Sequence, residues 1–125
     1  MSAQHTAIAT NRVLVQDGTY EFRGTIKKDG ATYSVAAKTI TATIRSKENP
    51  TVPLNASYED ISVTAGNSET AAASGGVTFS FSPSSTYFFA PPDPTEWETY
   101  YIQFYISNDD YYPQLVEFGV RIKLD

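Results

Sequence analysis

Side chains that alternate between apolar and polar run through much of this chain. The clearest case is the segment LVEFGVRIKLD, residues 115–125, where apolar residues occupy every second position: Val116, Phe118, Val120, Ile122 and Leu124. Successive side chains of a β-strand point to opposite faces of its sheet, so this period of two is typical of a strand with one buried face. We therefore expect the carboxy-terminal segment to be a strand whose five apolar residues face a core.

The same alternation predicts strands in five earlier segments: 20–26, 39–45, 58–65, 76–82 and 101–106. Asp29-Gly30 predicts a turn that accepts positive φ. Short strands separated by turn signals at intervals of about 8–12 residues are typical of a two-layer β-protein. The expected fold is all-β, an immunoglobulin-like antiparallel β-sandwich of about seven strands. At 125 residues, it should form a single domain spanning residues 1–125.

One short connecting segment is predicted to be helical. In SPSSTYFF, Ser82 is a suitable N-cap and Pro83 occupies the position that would follow it. One helical turn here would bring Phe88 or Phe89 to the bottom of the core. A long amphipathic helix, which would need a period of 3.6, is found nowhere in the sequence.

Composition argues against several classes of partner. The net charge is −5, which repels the phosphate backbone of nucleic acids. The chain has no cysteine and therefore no disulfide or thiolate metal site. No apolar run approaches the ~20 residues of a membrane-spanning helix, and the amino terminus lacks the pattern of a signal peptide. We expect no nucleic-acid or membrane partner and synthesis in the cytoplasm.

Residues suited to catalysis or metal binding are few. The single histidine, His5, has no ligand partner at a useful spacing, and no glycine-rich phosphate loop occurs. Two acidic loops could in principle meet to bind calcium or to supply the acid pair of a glycosidase. Their residues are Asp93, Glu96 and Glu98, which flank Trp97, and Asp109 and Asp110. Because the spacing of a calcium loop is missing, solvated loops are favoured, and no catalytic residue, cofactor or metal is predicted.

The segment YYIQFYISNDDYYP, residues 100–113, holds five tyrosines. If its apolar residues face the core, Tyr100 can cap that core while Tyr101 and Tyr105 project from the opposite face. Tyr111 and Tyr112 fall in the following turn. The outward rings have three interpretations: packing on a solvated sheet face, a protein interface, or a sugar-stacking platform. The candidate interface residues are Trp97, Tyr101, Tyr105, Tyr111 and Tyr112, with residues 1–11 as a candidate docking arm.

Three stretches of the chain resemble the Ig-like domain at the amino terminus of phage baseplate upper proteins. They are YEFRGTIKKDGATYSVAAKTITATIRSK, GGVTFSFSPSSTYFF and ETYYIQFYISNDDYYPQLVEFGVRIKLD. The similar features are the turn at 28–30, the strand at 40–45, the G-x-V-x-F strand at 76–79 followed by a Ser/Thr-rich turn at 82–86, the tyrosine strand at 98–105 and the final strand at 118–124. The chain departs from the family in the inserted PPDPTEW before the tyrosine strand, which leaves the location within a particle open.

This resemblance implies a non-enzymatic structural module that joins or decorates the components of a phage particle. Its expected partners are other virion proteins in a symmetric, multi-copy assembly, and its expected location is the virion, at the tail, neck, baseplate or capsid surface. Two alternatives stay open. One is a carbohydrate-binding module that stacks sugars on Trp97, Tyr111 and Tyr112. The other is a small hydrolase that uses Glu96.

Overall fold

The structure is a computed structural model that describes residues 13–113 and 115–123. Within these residues the fold is all-β, with three short 3₁₀ turns at Ala56–Tyr58, Ala72–Ser74 and Ser107–Asp109. The strands are β1 (Val13–Val15), β2 (Tyr20–Thr25), β3 (Lys27–Lys28), β4 (Ala31–Thr32), β5 (Ile40–Ser46), β6 (Ile61–Ala65), β7 (Gly76–Phe81), β8 (Glu98–Ile106) and β9 (Val116–Arg121).

Seven of these strands form one sheet in the order β1-β9-β8-β5-β6-β7-β2, and β3 and β4 form a separate hairpin. The sheet curls so that its two halves pack against each other through aromatic side chains. Phe22 of β2 lies with its ring centroid 5.4 Å from that of Phe104 in β8, and Phe81 of β7 lies 5.6 Å from Phe118 in β9. These rings belong to one continuous core in which Phe22, Phe104 and Phe118 are almost completely buried.

The alternation in the sequence correctly predicted which side chains are buried. Ile40, Ala42 and Ile44 of β5 are buried, as are Val77, Phe79 and Phe81 of β7 and Val116, Phe118 and Val120 of β9. The turn at Asp29-Gly30 is confirmed and joins β3 to β4, with positive φ at both residues. β9 ends at Arg121, earlier than expected: Ile122 is half-buried beyond the strand, and Leu124 lies outside the described residues.

The expectation of a purely antiparallel arrangement is wrong at one edge of the sheet. β1 pairs with β9 in parallel, with Leu14 opposite Val120. β1 was not predicted, because a strand of three residues is too short to show a period of two. The pairing is favourable because it covers the edge of β9 and buries Leu14, which is 1 % exposed. The other strand pairings in the described part of the chain are antiparallel.

The turn predicted after β7 forms, but it begins two residues later than expected and with a different capping residue. Residues 85–87 form a hydrogen-bonded turn, in which the carbonyl of Ser84 accepts from the backbone N–H groups of Tyr87 and Phe88. The side chain of Ser84, rather than that of Ser82, caps this turn by accepting from the backbone N–H of Thr86. The sequence predicted that either Phe88 or Phe89 would enter the core. Phe88 is fully buried, whereas Phe89 is 70 % exposed.

Two sequence predictions concern the amino terminus. The candidate docking arm at residues 1–11 and His5 both lie outside the described residues. Among the described residues, no helix is long and apolar enough to cross a membrane.

Candidate docking surface on the outer face of β8

β8 presents one apolar and one polar face, as the sequence predicted. Ile102, Phe104 and Ile106 are fully buried, whereas the residues between them, Tyr101, Gln103 and Tyr105, are partly exposed. Since strand side chains alternate, these three residues lie on the face of the sheet turned away from the core, which we call the outer face. β8 therefore combines a core strand and a tyrosine-bearing surface in one segment.

Tyr100 belongs to the core side of β8, as expected from its position in the alternation. Its side chain is 2 % exposed, and its hydroxyl donates a hydrogen bond of 2.9 Å to the backbone carbonyl of Phe89. Burial, together with the negative charge of Glu98, raises the pKa of Tyr100 to about 12. The residue thus closes the core and adds nothing to the outer face.

The outer-face tyrosines are flanked by charged and polar residues of the neighbouring strands. Tyr101 lies opposite Arg45 of β5 on one side and Glu117 of β9 on the other. Between the two tyrosines, Gln103 accepts a hydrogen bond of 3.2 Å from the guanidinium of Arg45. The outer face therefore carries aromatic rings within a polar surround, which is the usual composition of a protein interface.

Tyr105 and Tyr112 form a stacked pair at the end of β8. Their ring centroids are 4.5 Å apart and the ring planes differ by 25°. The hydroxyl of Tyr105 donates to Asp110 at 2.9 Å, and this hydrogen bond is the main reason why the pKa of Tyr105 is raised. Tyr112 is 55 % exposed. The pair is thus an oriented aromatic surface that remains accessible to solvent.

Tyr111 differs from its neighbour Tyr112 because it packs within its own chain. Its ring meets that of Tyr33 edge-on at 5.3 Å, and its hydroxyl donates to the carbonyl of Lys27 at 2.8 Å. The ammonium of Lys28 lies 5.0 Å from the ring centroid. Both turn tyrosines were predicted as candidate interface residues. In the structure Tyr112 is exposed, whereas Tyr111 packs against the β3–β4 hairpin.

Trp97 precedes β8 and lies directly on the backbone of β9. A methyl group added at Gly119 would come within 2.2 Å of Trp97 Cδ1, so the indole occupies the space that a side chain would need. Trp97 is nevertheless 55 % exposed. Gly119 is the residue that the sequence analysis did not single out, although a glycine inside a strand is a known sign of a close approach.

We call the set Trp97, Tyr101, Tyr105 and Tyr112 the β8 outer surface. Gly119 pairs with Thr99, so Trp97 lies beside the start of β8, and Tyr105 lies about 13 Å beyond Tyr101 along the strand. Two of its four rings are more than half exposed. The four rings therefore form an extended row rather than a single cluster.

A group of hydrogen bonds fixes the turn after β8 to the loop before β5. Asp109 accepts from the ammonium of Lys38 and from the hydroxyl of Tyr33. Beside it, Asn108 accepts from the backbone N–H of Thr39 at 2.7 Å. These contacts hold the turn that carries Tyr112 close to the body of the fold. The bonds from Lys38 and Tyr33 lower the pKa of Asp109, and the same contact with Asp109 raises the pKa of Lys38.

Replacing Asp109 with asparagine is expected to destabilise the protein in a pH-dependent way. A carboxyl whose pKa is lowered by folding stabilises the fold above its unfolded pKa of about 4, and this contribution is lost as pH falls through the folded value. The wild type should therefore unfold at a higher urea concentration than Asp109→Asn at pH 7. The difference should shrink as the pH falls below about 4. Lys38 stays charged throughout this range, and its contact with Asp109 raises its pKa further above it.

The matched control is Asp29→Asn in the β3–β4 turn. Asp29 is exposed, as Asp109 is, but it forms no ion pair within the described residues. Because this variant has no ion pair to lose, it should unfold at a urea concentration close to that of the wild type. A difference between wild type and Asp109→Asn that is equal at pH 3 and pH 7 would contradict the proposed role of the Asp109 carboxylate.

The two acidic loops named in the sequence analysis do not meet. Glu98 begins β8 and Ile106 ends it, so the strand separates Asp93, Glu96 and Glu98 from Asp109 and Asp110 by roughly 25 Å. Asp93 instead closes its own loop by accepting from the backbone and hydroxyl of Thr95, which lowers its pKa. Within the described residues no group of three or more metal-binding side chains is found. The shared calcium site or glycosidase acid pair considered from the sequence is therefore not assembled.

Comparisons with known proteins identify no family. No family model matches the chain, and no curated protein matches it. Among solved structures, it is similar to the NK cell receptor Nkp44, described as a triggering partner in natural cytotoxicity. The two share 16 % sequence identity with a TM-score of 0.39, over 90 % of this chain and 98 % of the receptor chain. A similarity of this size supports no inference about this protein.

Proposed function

We propose that this chain is a non-enzymatic structural protein of a phage particle that docks onto other virion proteins through the β8 outer surface. The single observation that carries the proposal is the row formed by Tyr101 and Tyr105 on β8 with Trp97 before the strand and Tyr112 after it, in which Trp97 and Tyr112 are more than half exposed. The resemblance to baseplate domains supplies the virion context. The chain would join or decorate components, with copies related by the symmetry of the particle.

We propose further that the curled sheet is an immunoglobulin-like sandwich. If β2, β5, β6, β7, β8 and β9 are strands B, C, D, E, F and G, the pairs B–E, E–D, C–F and F–G of that fold all occur. The additional pairing of β5 with β6 joins the two layers into one sheet. The contacts of Phe22 and Phe79 with Phe104 then form the interface between the layers.

The β8 outer surface suits a protein partner for physical reasons. Tyrosine and tryptophan bury a large area with few rotatable bonds, which is why they are enriched among residues that dominate binding energy. Tyr105 and Tyr112 already restrain each other by stacking, and Asp110 holds the hydroxyl of Tyr105. Little side-chain entropy would therefore be lost when a partner covers them.

The remaining properties fit a particle protein made in a host cytoplasm. The chain contains no cysteine, so its fold does not depend on an oxidising compartment. Mass spectrometry of purified particles of the phage that encodes the chain is the first test. We expect the protein among the virion components, and its absence from intact particles would refute the virion role.

Replacing Tyr101 and Tyr105 together with serine is expected to weaken incorporation into particles by a factor on the order of ten or more. Both rings would contribute contact area to the partner, whereas their removal leaves the core side of β8 unchanged. Copies per particle are measured by quantitative mass spectrometry after complementation with the variant. Circular dichroism and thermal unfolding of the isolated variant report whether it remains folded.

The control is Val52→Ser, which removes an exposed apolar side chain in the loop after β5. This variant should enter particles as the wild type does. Unchanged incorporation of the double tyrosine variant would contradict docking through this surface. Loss of its folded structure would instead show that the two rings serve the stability of the domain.

One observation favours carbohydrate binding as a second candidate. The exposed indole of Trp97 lies on the bare backbone of Gly119, as a stacking platform for a sugar ring would. Trp97 is the only tryptophan, so its fluorescence reports directly on this site. Saturable quenching by a soluble glycan, abolished in Trp97→Ala, would favour carbohydrate over protein as the partner of the β8 outer surface.

A further inference from the structure

A cleft of about 300 Å³ lies at the end of β8 opposite the Tyr105–Tyr112 pair. Tyr100 and Glu98 of β8 line one side, and the other lining residues include Glu48, Leu54, Tyr87 and Phe89 from the loops after β5 and β7. We call this the Glu48–Glu98 cleft. It lies about five residues along the strand from Tyr105, a distance of roughly 17 Å, and shares no residue with the β8 outer surface.

The walls of the cleft are held in place by the core. Phe88, between Tyr87 and Phe89, is fully buried, with its ring 4.8 Å from Tyr100 and 4.8 Å from Tyr58. The hydroxyl of Tyr100 binds the carbonyl of Phe89. Because Phe88 anchors this loop, the cleft is formed before any partner arrives.

Neither glutamate of the cleft forms an ion pair within the described residues. Within the described part of the chain, no lysine or arginine nitrogen lies within 4.0 Å of a carboxylate oxygen of Glu48 or Glu98. Both glutamates act on the same hydroxyl, since their charges add to burial in raising the pKa of Tyr100. The two carboxylates therefore create a local negative potential.

The apolar part of the cleft also limits which side chain can bind there. Phe89 is 70 % exposed although its neighbour Phe88 is fully buried, so a phenyl ring stands in solvent beside two carboxylates. Arginine is the side chain that matches both features. Its planar guanidinium stacks on aromatic rings and binds carboxylates through paired hydrogen bonds, while its aliphatic stem packs on apolar surface such as Leu54. A lysine ammonium offers the charge without the stacking plane.

We propose that the Glu48–Glu98 cleft receives an arginine side chain from the protein partner. This inference rests on the proposed docking function and defines a second point of contact, beside the start of β8 and away from the Tyr105–Tyr112 pair. It also specifies the partner chemistry: an exposed arginine on a surface that complements an acidic protein with a net charge of −5.

The test is an NMR titration of the isolated protein with N-acetyl-arginine methylamide, followed through the backbone amide signals. We expect saturable shifts confined to residues around Glu48, Phe89 and Glu98, with a dissociation constant of about 1 mM or weaker for a single side chain. The matched norleucine derivative should give no saturable shift, and the lysine derivative should bind more weakly. Equal binding of the norleucine derivative, or tighter binding of the lysine derivative, would overturn the assignment.

Two double variants distinguish binding in the cleft from general attraction between arginine and an acidic protein. Glu48→Gln with Glu98→Gln should weaken arginine binding at least about tenfold. Glu59→Gln with Asp29→Asn removes the same charge elsewhere and should retain binding. Equal weakening in both variants, or no weakening in either, would refute the cleft. The Tyr101→Ser, Tyr105→Ser variant should bind the arginine probe normally, so failure of the cleft is distinguishable from failure of the β8 outer surface.

Discussion

Replacing Phe104 with alanine is expected to lower the free energy of unfolding by about 3–5 kcal/mol. The ring of Phe104 is fully buried, and its centroid lies 5.4 Å from that of Phe22 and 5.8 Å from that of Phe79. It therefore touches β2 and β7 from the other half of the curled sheet. Removing it would leave a cavity where the two halves meet, and surrounding side chains collapse into such cavities only in part.

The measurement is urea unfolding followed by circular dichroism. The matched control is Phe89→Ala, the same exchange at a ring that is 70 % exposed, which should change the free energy of unfolding by less than about 1 kcal/mol. Domains of this size have a total stability of about 5–15 kcal/mol, so the Phe104 variant should lose a large share of it. Similar effects for the two variants would contradict a core built around the face of β8 that carries Phe104.

Replacing Gly75 with alanine is expected to destabilise the protein by about 3 kcal/mol or more. Gly75 follows the 3₁₀ turn at Ala72–Ser74 with a φ of 94°, a conformation that side chains disfavour. An added methyl group would also come within 2.3 Å of the carbonyl oxygen of Ile26 and 2.9 Å of that of Tyr33. Both obstacles are backbone atoms, so the loop between β6 and β7 would have to move away from the end of β2.

Gly30→Ala isolates the contribution of these contacts. Gly30 has a φ of 77°, yet nothing lies within 4 Å of the position that its methyl group would take. This variant should lose only the conformational term of about 1–2 kcal/mol. Urea unfolding of both variants gives the comparison. If Gly75→Ala costs no more than Gly30→Ala, the close packing of this loop on Ile26 and Tyr33 is refuted.

The sequence was most informative where a period of two is long. In β8 and β9, alternation alone predicts which residues are buried: Ile102, Phe104, Val116 and Phe118. It also predicts that Tyr100 caps the core. One buried face fixes the register of a strand, because a shift by one residue would expose every apolar side chain. The outward direction of Tyr101 and Tyr105 was predictable for the same reason.

Features that depend on contacts distant in sequence were not predictable. β1 is too short to show a period, and its parallel pairing depends on the exposed edge of β9 more than 100 residues later. Tyr111 and Tyr112 are adjacent and identical, yet only Tyr111 meets Tyr33 and the β3–β4 hairpin. Their different exposure therefore comes from tertiary packing and not from local sequence.

The candidate site could be predicted only in part, because its contacts also join residues that are distant in sequence. Trp97, Tyr101, Tyr105 and Tyr112 could be named as exposed rings, but the stacking of Tyr105 on Tyr112 and the contact of Trp97 with Gly119 required the folded chain. The Glu48–Glu98 cleft left no signal, since Glu48, Phe89 and Glu98 come from three separate segments. The glycine inside the otherwise regular β9 was a local sign of the close approach that Trp97 makes to this strand.

Hydroxyl-radical footprinting of the chain, free in solution and within purified phage particles, tests the docking claim most directly. The radicals oxidise tyrosine and tryptophan side chains according to their exposure. In the assembled particle, Trp97, Tyr101 and Tyr112 should be oxidised several-fold more slowly than in the free protein, while exposed Val52 reacts at a similar rate in both. Equal oxidation of these three rings in the two states would contradict the proposal that the β8 outer surface is covered by another protein.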